Sequence, residues 1–434
     1  MADVITTIGS RSDESISITG TVGSNPYTVS LSASSTADIG DALIDDSSDV
    51  YLITSVDGDS LVVLDSTGVG SAPAAGGGEV TKRYYSTIAT WESDLDDEDL
   101  YASEDSSVGH LMADSDHEEK DNDINGGGNV GAEGLDKITL TVPATSANGG
   151  ERHDGTHGTG AKIKLTSNSF QVIKFTASSI PVELSWFEVD VNDKNHYGAI
   201  HAYGNTDNAP VIHHLIVHNA HGSGGGAFSL IGAGSASGLV VHNCVLYNVN
   251  ADNNRADAGI SSTKYHKTFQ VYNCSILSIT QDGSGTAVGL KHIEDDTNHY
   301  IQNNIVVDIT DNCFDDYYAS PANATFTNNI ASDTSNDGHT NSVSSESAGD
   351  LFQSIVEDGE DLRLKSGTNS AVAAGVDLSA LSYTDIEIDI TGVTRSGDWD
   401  IGAHQRAAAA PSFIPYPYAR GLSGGAVEMS GGLQ

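Results

Sequence analysis

The chain is poor in cations: 19 Lys+Arg stand against 60 Asp+Glu in 434 residues, a formal net charge of −41. Surfaces that track DNA or RNA use lysine and arginine to displace counterions from phosphates, and anionic bilayers are met in the same way. The balance therefore excludes nucleic acid and membrane surfaces as partners. Cysteine is scarce too: Cys244, Cys274 and Cys313 cannot form a closed disulfide framework. The chain lacks any apolar run of the roughly twenty residues that a membrane-spanning helix needs. Its first ten residues, MADVITTIGS, have neither the basic region nor the apolar stretch of a secretory signal. The expectation is no membrane insertion and, for a protein that works outside a cell, a route such as assembly into a virus particle released by lysis.

What is present argues for a folded protein. Charged residues make up 18% of the chain and hydrophobic ones 38%, with 47 glycines, too structured a mixture for an acidic disordered tail. Few lysines, many aspartates, and Ala, Gly, Ser and Thr as fillers look like the proteins of extreme halophiles, in which dense salt screens the repulsion between carboxylates. An ordinary acidic protein is the alternative.

Residues 1–85 read as a small β module that anchors or oligomerises. Val50 to Val56 and Ser60 to Asp65 flank the turn Asp57-Gly58-Asp59 and predict a hairpin. Ser15 to Gly20 and Tyr27 to Leu31 add two alternating stretches, and Gly68 to Gly78 reads as a linker. Residues 86–135 read as a short helix and an acidic linker. Thr87 to Leu95 predicts the helix, capped by Ser86 or Thr87, with Ile88 and Trp91 on one face. The acidic run from Asp94 to Asp123 suits either a solvated surface or calcium.

Residues 136–405 read as a repetitive domain with its closing segment, and between about residues 136 and 335 a motif recurs. Val240-Val241-His242-Asn243-Cys244, Gln270-Val271-Tyr272-Asn273-Cys274 and Tyr300-Ile301-Gln302-Asn303-Asn304 are spaced by thirty residues. Phe326-Thr327-Asn328-Asn329 follows, while Ile212-His213-His214 and Leu184-Ser185-Trp186 precede. Such a period, filled with short β-type runs and no helical pattern, marks a solenoid of about thirty-residue coils. The predicted class is all-β, a right-handed parallel β-helix. Asn243, Asn273, Asn303 and Asn328 would stack as a structural ladder at a left-handed turn. Cys244 and Cys274 would stack as buried free thiols. Residues 406–434, low in charge, read as an extended tail that docks on a neighbouring subunit, or as a frayed terminus.

Tyr84-Tyr85-Ser86-Thr87-Ile88-Ala89-Thr90-Trp91-Glu92, Lys137-Ile138-Thr139-Leu140 and Glu151-Arg152-His153-Asp154-Gly155 resemble, in order, the front half of parallel β-helix proteins of tailed viruses and environmental microbes within the pectate-lyase-like superfamily. Asp361-Leu362-Arg363-Leu364, Asp389 to Arg395 and Asp398 to Ala403 look like the closing segment of that family. The resemblance spans about residues 84–405. It implies the fold, and it leaves activity open because such proteins include lyases, hydrolases and virion spikes.

Several constellations could carry chemistry. A second ladder would line up His201, Ser229, Ser261, Lys291 and Asp315, with Tyr203, His292 and Asp316 nearby. In β-helix lyases, as the resemblance implies, a basic residue removes the proton α to a uronic acid carboxylate that calcium neutralises. For an enzyme the candidates are then His201, Lys291, Asp315 and Asp316, with Lys291 as base; Asp308, Asp311, Asp315 and Asp316 would hold calcium. A glycosidase would use Asp315 and Asp316 as its pair, although neighbours on a strand face opposite ways. His201, Tyr203, Lys291 and His292 are candidates for binding a glycan without cleaving it. His153 and His157 have zinc-like spacing but sit in a glycine-rich loop. His213, His214, His218 and His221 form a further cluster that strand alternation would split.

The expectation is a virion surface protein, a turret, spike or tail fibre of a tailed virus of a halophilic host, contributing to attachment. It requires no cofactor, calcium being the one ion it would suit. Its partners are copies of itself in a trimer or pentamer, capsid or tail proteins, and a host glycan or receptor. A polysaccharide lyase or glycoside hydrolase on the same fold is the alternative, and a cell-surface adhesin a third.

Overall fold

The thirty-residue period becomes structure because each coil supplies three short strands whose alternate residues are apolar. The computed structural model describes residues 3–406 apart from 66–69, 96–105, 119, 125–134, 146–150, 169–170, 177–179, 197, 203–207, 223–227, 234–237, 253–255, 263–267, 283–285, 293–297, 317–323, 357–358 and 368. Stacking the coils builds three parallel sheets of nine, eight and seven strands. The fold is a parallel β-solenoid preceded by a small β-barrel, as the repeat predicts.

Each sheet turns one row of side chains inward. In the first the row is Leu140, Leu184, Ile212, Val241, Val271, Ile301 and Phe326. In the second it is Ile163, Val189, Val217, Leu246, Ile276, Val306 and Ala331. In the third it is Ile173, Ile200, Ile231, Ile260, Leu290 and Phe314. All are buried in one continuous core. Each such aliphatic side chain contributes roughly 1.5–3 kcal/mol on burial, so repetition along the stack stabilises a chain with modest hydrophobic content.

The second sheet is apolar outside as well. Ile216, Val245, Leu277, Ile305 and Val307 face a separate cluster formed by Leu351, Phe352, Leu362, Leu364, Ile390 and Ile401 of the closing segment. A parallel sheet buried on both faces needs this cover. Over the first sheet, Leu378, Ile386 and Trp399 pack on Tyr272.

The corner between the first and second sheets is a left-handed residue in each coil. Trp186, His214, Asn243, Asn273, Asn303 and Asn328 all have φ between 52° and 69°. The asparagines tolerate that conformation and use their amides. Asn303 Nδ2 donates to Asn273 Oδ1 at 3.0 Å, to Val376 O at 2.8 Å, and Asn328 Nδ2 donates to Ala374 O at 2.7 Å. The ladder thus also holds the closing segment. Just inside it, Cys244 and Cys274 are free and buried as expected. Asn304 and Asn329 continue that row, with Asn304 Oδ1 accepting from Cys274 N at 2.9 Å.

The boundaries drawn from sequence need correction at the front. Asp3–Ile8 pairs in parallel with Ser106–Leu111, so the first described strand belongs to the solenoid and the barrel is inserted after it. The barrel comprises Glu14–Gly23, Tyr27–Leu31, Ala42–Ile44, Val50–Asp57, Ser60–Asp65 and Gly77–Lys82. The last of these strands takes in Gly77 and Gly78, the end of the stretch read as a linker. The acidic segment likewise contributes Ser106–Leu111 and Asn122–Ile124 to coils. Their short apolar alternation was masked by the charge around them. The helix is present as Ile88–Ser93, with Thr87 and Thr90 forming a capping box and Ile88 and Trp91 buried.

A buried charge cluster joins barrel to solenoid. Arg83 Nη1 lies 2.6 Å from Asp38 and 3.2 Å from Asp41, and its Nη2 lies 2.7 Å from Asp114. Thr7 of the first solenoid strand donates to Asp41 Oδ1 at 2.6 Å.

Candidate functional site

The ladder expected on the third sheet exists, with one change of register. Lys174, His201, Gly232, Ser261, Lys291 and Asp315 are successive partners. Ser229 is not among them, because it pairs with Gly198 and Ala258. The strand bends between Ser229 and Ile231, which brings the Ser229 hydroxyl over Gly232: a Cβ built there would stand 2.1 Å from Ser229 Oγ and 3.5 Å from His201 Cε1. The charges along the row neutralise one another, Lys174 with Asp123 at 3.0 Å and Lys291 with Asp315 at 3.6 Å.

The aspartates suggested as calcium ligands are placed separately. Asp308 is a left-handed bend residue of the second sheet. Asp311 Oδ2 accepts from Ala287 N at 2.7 Å, and Asp315 pairs with Lys291. Among the described residues, Asp308, Asp311 and Asp315 join no three-ligand group. Tyr203 lies outside the described residues, as do the side chains of His292 and Asp316 and the tail from residue 407.

Two other groups of potential ligands are brought together by the fold. In the first, His213, His214 and His242 each place a ring nitrogen within 4.8 Å of the others, all three residues being buried. Alternation predicted that His213 and His214 would diverge. The strand Val211–His213 ends there, however, and His214 takes the left-handed corner with φ of 52°, which turns its ring back toward His213. The signal was in the repeat: His214 occupies the place of Asn243, Asn273 and Asn303.

In the second group, Glu188, Asp190 and His218 meet on the outer face of the second sheet. Glu188 Oε1 accepts from His218 Nε2 at 2.9 Å, and Oε2 accepts from Gly158 N at 2.5 Å. Burial alone would raise the Glu188 carboxyl, but the hydrogen bonds from His218 and Gly158, with charge from His218 and Lys162, together outweigh it and hold the group below the usual carboxylate value. Asp190 Oδ1 accepts from Asn192 N at 2.9 Å and from Asn219 Nδ2 at 3.3 Å. Tyr247 stacks on His218 with ring centres 4.9 Å apart. The loop His153-Asp154-Gly155-Thr156-His157 serves both groups: His153 Nε2 donates to His214 O at 2.8 Å, and the His157 ring lies 5.8 Å from that of His218.

A polar groove of about 570 Å³ crosses the coils farther along the second sheet. Asp193, Asn219, His221, Asn248, Asn250 and Thr280 line it. Asn219, Asn248 and Ser278 have φ of 53° to 55° and form a second left-handed ladder that aims their polar groups outward. The sequence reading missed this groove, although Asn219 and Asn248 stand 29 residues apart. Comparison with known proteins finds no family model that matches the chain and no curated protein similar to it.

Proposed function

We propose that the chain is a structural protein of a virus particle surface, a turret, spike or fibre of a tailed virus with a halophilic host, and that its solenoid contacts a host-surface glycan without cleaving it. The observation that carries the binding role is the groove lined by Asn219, His221, Asn248, Asn250 and Thr280. Amide, imidazole and hydroxyl groups repeated at coil spacing offer both donors and acceptors to a polyhydroxylated chain. The paired charges on the third sheet also suit contact with neutral hydroxyls better than capture of an acidic polysaccharide. Copies of the same chain, and capsid or tail proteins, are the partners this role requires. Calcium is not needed for it.

The test combines location and binding. Immunogold labelling should place the chain on purified particles, and a glycan array in molar salt should show binding that Asn250→Ala with Thr280→Ala abolishes. Absence from particles overturns the virion role. Release of unsaturated products or new reducing ends from a polysaccharide panel, lost in Lys291→Ala or Asp315→Asn, would establish the lyase or hydrolase reading instead.

A further inference from the structure

Glu188, Asp190 and His218 each place one donor atom within 4.8 Å of the other two, and they are 1%, 8% and 3% exposed. Asp190 and His218 are register partners in adjacent coils, while Glu188 stands two residues before Asp190 on the same strand. Its longer side chain crosses the step between coils, and Oε1 ends 2.9 Å from His218 Nε2. Two carboxylates and one ring can turn their lone pairs to a common point. Parallel rings such as His213 and His242, 4.7 Å apart at 8°, cannot. Tetrahedral zinc, with bonds of about 2.0–2.1 Å, keeps its donors roughly 3.4 Å apart, inside the span observed.

Both carboxylates are held from outside, as ligands are at built metal sites. Gly158 N donates to Glu188 Oε2, and Asn192 N and Asn219 Nδ2 donate to Asp190 Oδ1. Lys162, the register partner of Glu188, turns to Asp116 at 3.1 Å. Among the described residues, His218 is thus the one ion-pair partner of these two buried carboxylates. Around them, His218 Nδ1, His157 Nδ1 and the Tyr247 hydroxyl are buried without a hydrogen-bond partner. Tyr247 is 2% exposed and stacks on His218. The His157 ring lies 5.8 Å from that of His218 and 6.4 Å from that of Tyr247.

We propose that Glu188, Asp190 and His218 bind a divalent transition-metal ion of the zinc class. One imidazole with two carboxylates suits zinc, cobalt or manganese, and the nitrogen ligand disfavours calcium, which takes oxygen. With Nε2 as the ligand atom, the ring hydrogen of His218 lies on Nδ1, for which the partnerless His157 Nδ1 and Tyr247 hydroxyl are the acceptors at hand. Because Gly158 ends the loop that carries His153 and His157, the ion would tie that loop to the coils. The role is structural and does not depend on the glycan-binding reading.

The test uses the full chain, stripped with a chelator and titrated by calorimetry with zinc and, separately, with calcium. Expected are one zinc ion per chain, a rise in melting temperature, visible absorption with cobalt, and no calcium binding at the same concentrations. Glu188→Gln keeps the size and hydrogen bonds of the side chain but not its charge, and His218→Phe keeps a ring against Tyr247 but has no nitrogen. Both should lose at least tenfold in zinc affinity. His242→Phe, in the other group of histidines, should bind as wild type does. Absence of stoichiometric zinc binding to the wild-type chain overturns the proposal whatever the variants do. So does calcium binding as tight as that of zinc, affinity unchanged in Glu188→Gln and His218→Phe, or affinity lost in His242→Phe alone.

Discussion

Asn243 and Arg395 stand 152 residues apart in the chain, yet Arg395 Nη2 lies 3.3 Å from Asn243 Oδ1. The same nitrogen donates to Gly402 O and Ala403 O at 2.9 Å, while Asn243 Nδ2 donates to Ile388 O at 2.8 Å. One corner amide and one buried guanidinium thereby fasten the closing segment to the solenoid. Burial pushes Arg395 down to about 10, still charged near neutral pH.

Arg395→Met should therefore cost about 3 kcal/mol or more, because it strands several buried acceptors of charged hydrogen bonds. Urea unfolding measures it. A loss below about 1 kcal/mol would mean that the closing segment is not part of the cooperative unit.

The bend of the third sheet has no room for a side chain at Gly289. A Cβ there would stand 2.0 Å from Val306 Cγ1 and 2.7 Å from Cys313 O. Gly289→Ala should destabilise the protein by about 1–3 kcal/mol through overpacking. Gly20→Ala in the barrel, where no atom lies within 4 Å of the added carbon, is the control and should leave the melting temperature nearly unchanged.

At the joint of barrel and solenoid, burial alone would raise the Asp114 carboxyl, but hydrogen bonds and charge from Arg83 outweigh it and lower it. A lowered folded value means stability that is present above the ordinary carboxylate value of about 3.9 and is lost as pH falls through the folded one. Asp41, raised by burial, acts in the opposite sense and offsets part of this. Asp114→Asn should be less stable than wild type at neutral pH and should lose less on acidification, so the two melting curves converge toward low pH. Parallel curves would remove Asp114 from the acid response.

Salt should matter to the whole molecule. Screening shortens from about 10 Å at 0.1 M to about 3 Å at 1 M, so the melting temperature of a chain carrying −41 should climb steeply between about 0.1 and about 2 M salt. Differential scanning calorimetry reads this, and a flat response would undo the halophile inference. Not all of the charge is on the surface. Asp389 and Asp400, both buried, serve as acceptors in the closing segment: Asp389 Oδ1 takes Thr391 N and Val393 N at 2.9 Å, and Asp400 Oδ1 takes Ala373 N at 2.7 Å. These carboxylates shape turns and should be indifferent to screening.

Periodicity by itself determined the solenoid. A thirty-residue recurrence of apolar pairs beside Asn243, Asn273 and Asn303 admits few arrangements other than stacked coils, because identical local geometry repeats at each corner. The helix after Thr87 was legible from its capping residue and the spacing of Ile88 and Trp91, while the same regularity identified the buried thiols. It misplaced Ser229, since a bend inside a strand breaks the two-residue alternation on which the alignment rested. It also separated His213 from His214, since alternation ends where a strand ends. Only the tertiary structure decided which long-range contacts form: Asp3–Ile8 entering the solenoid ahead of the barrel, Glu183 reaching His213 from the preceding coil, and Arg395 meeting Asn243. Local pattern sets the conformation of each coil. What covers the coils depends on which distant segment can bury the second sheet's outer face, and that is a matter of packing in three dimensions.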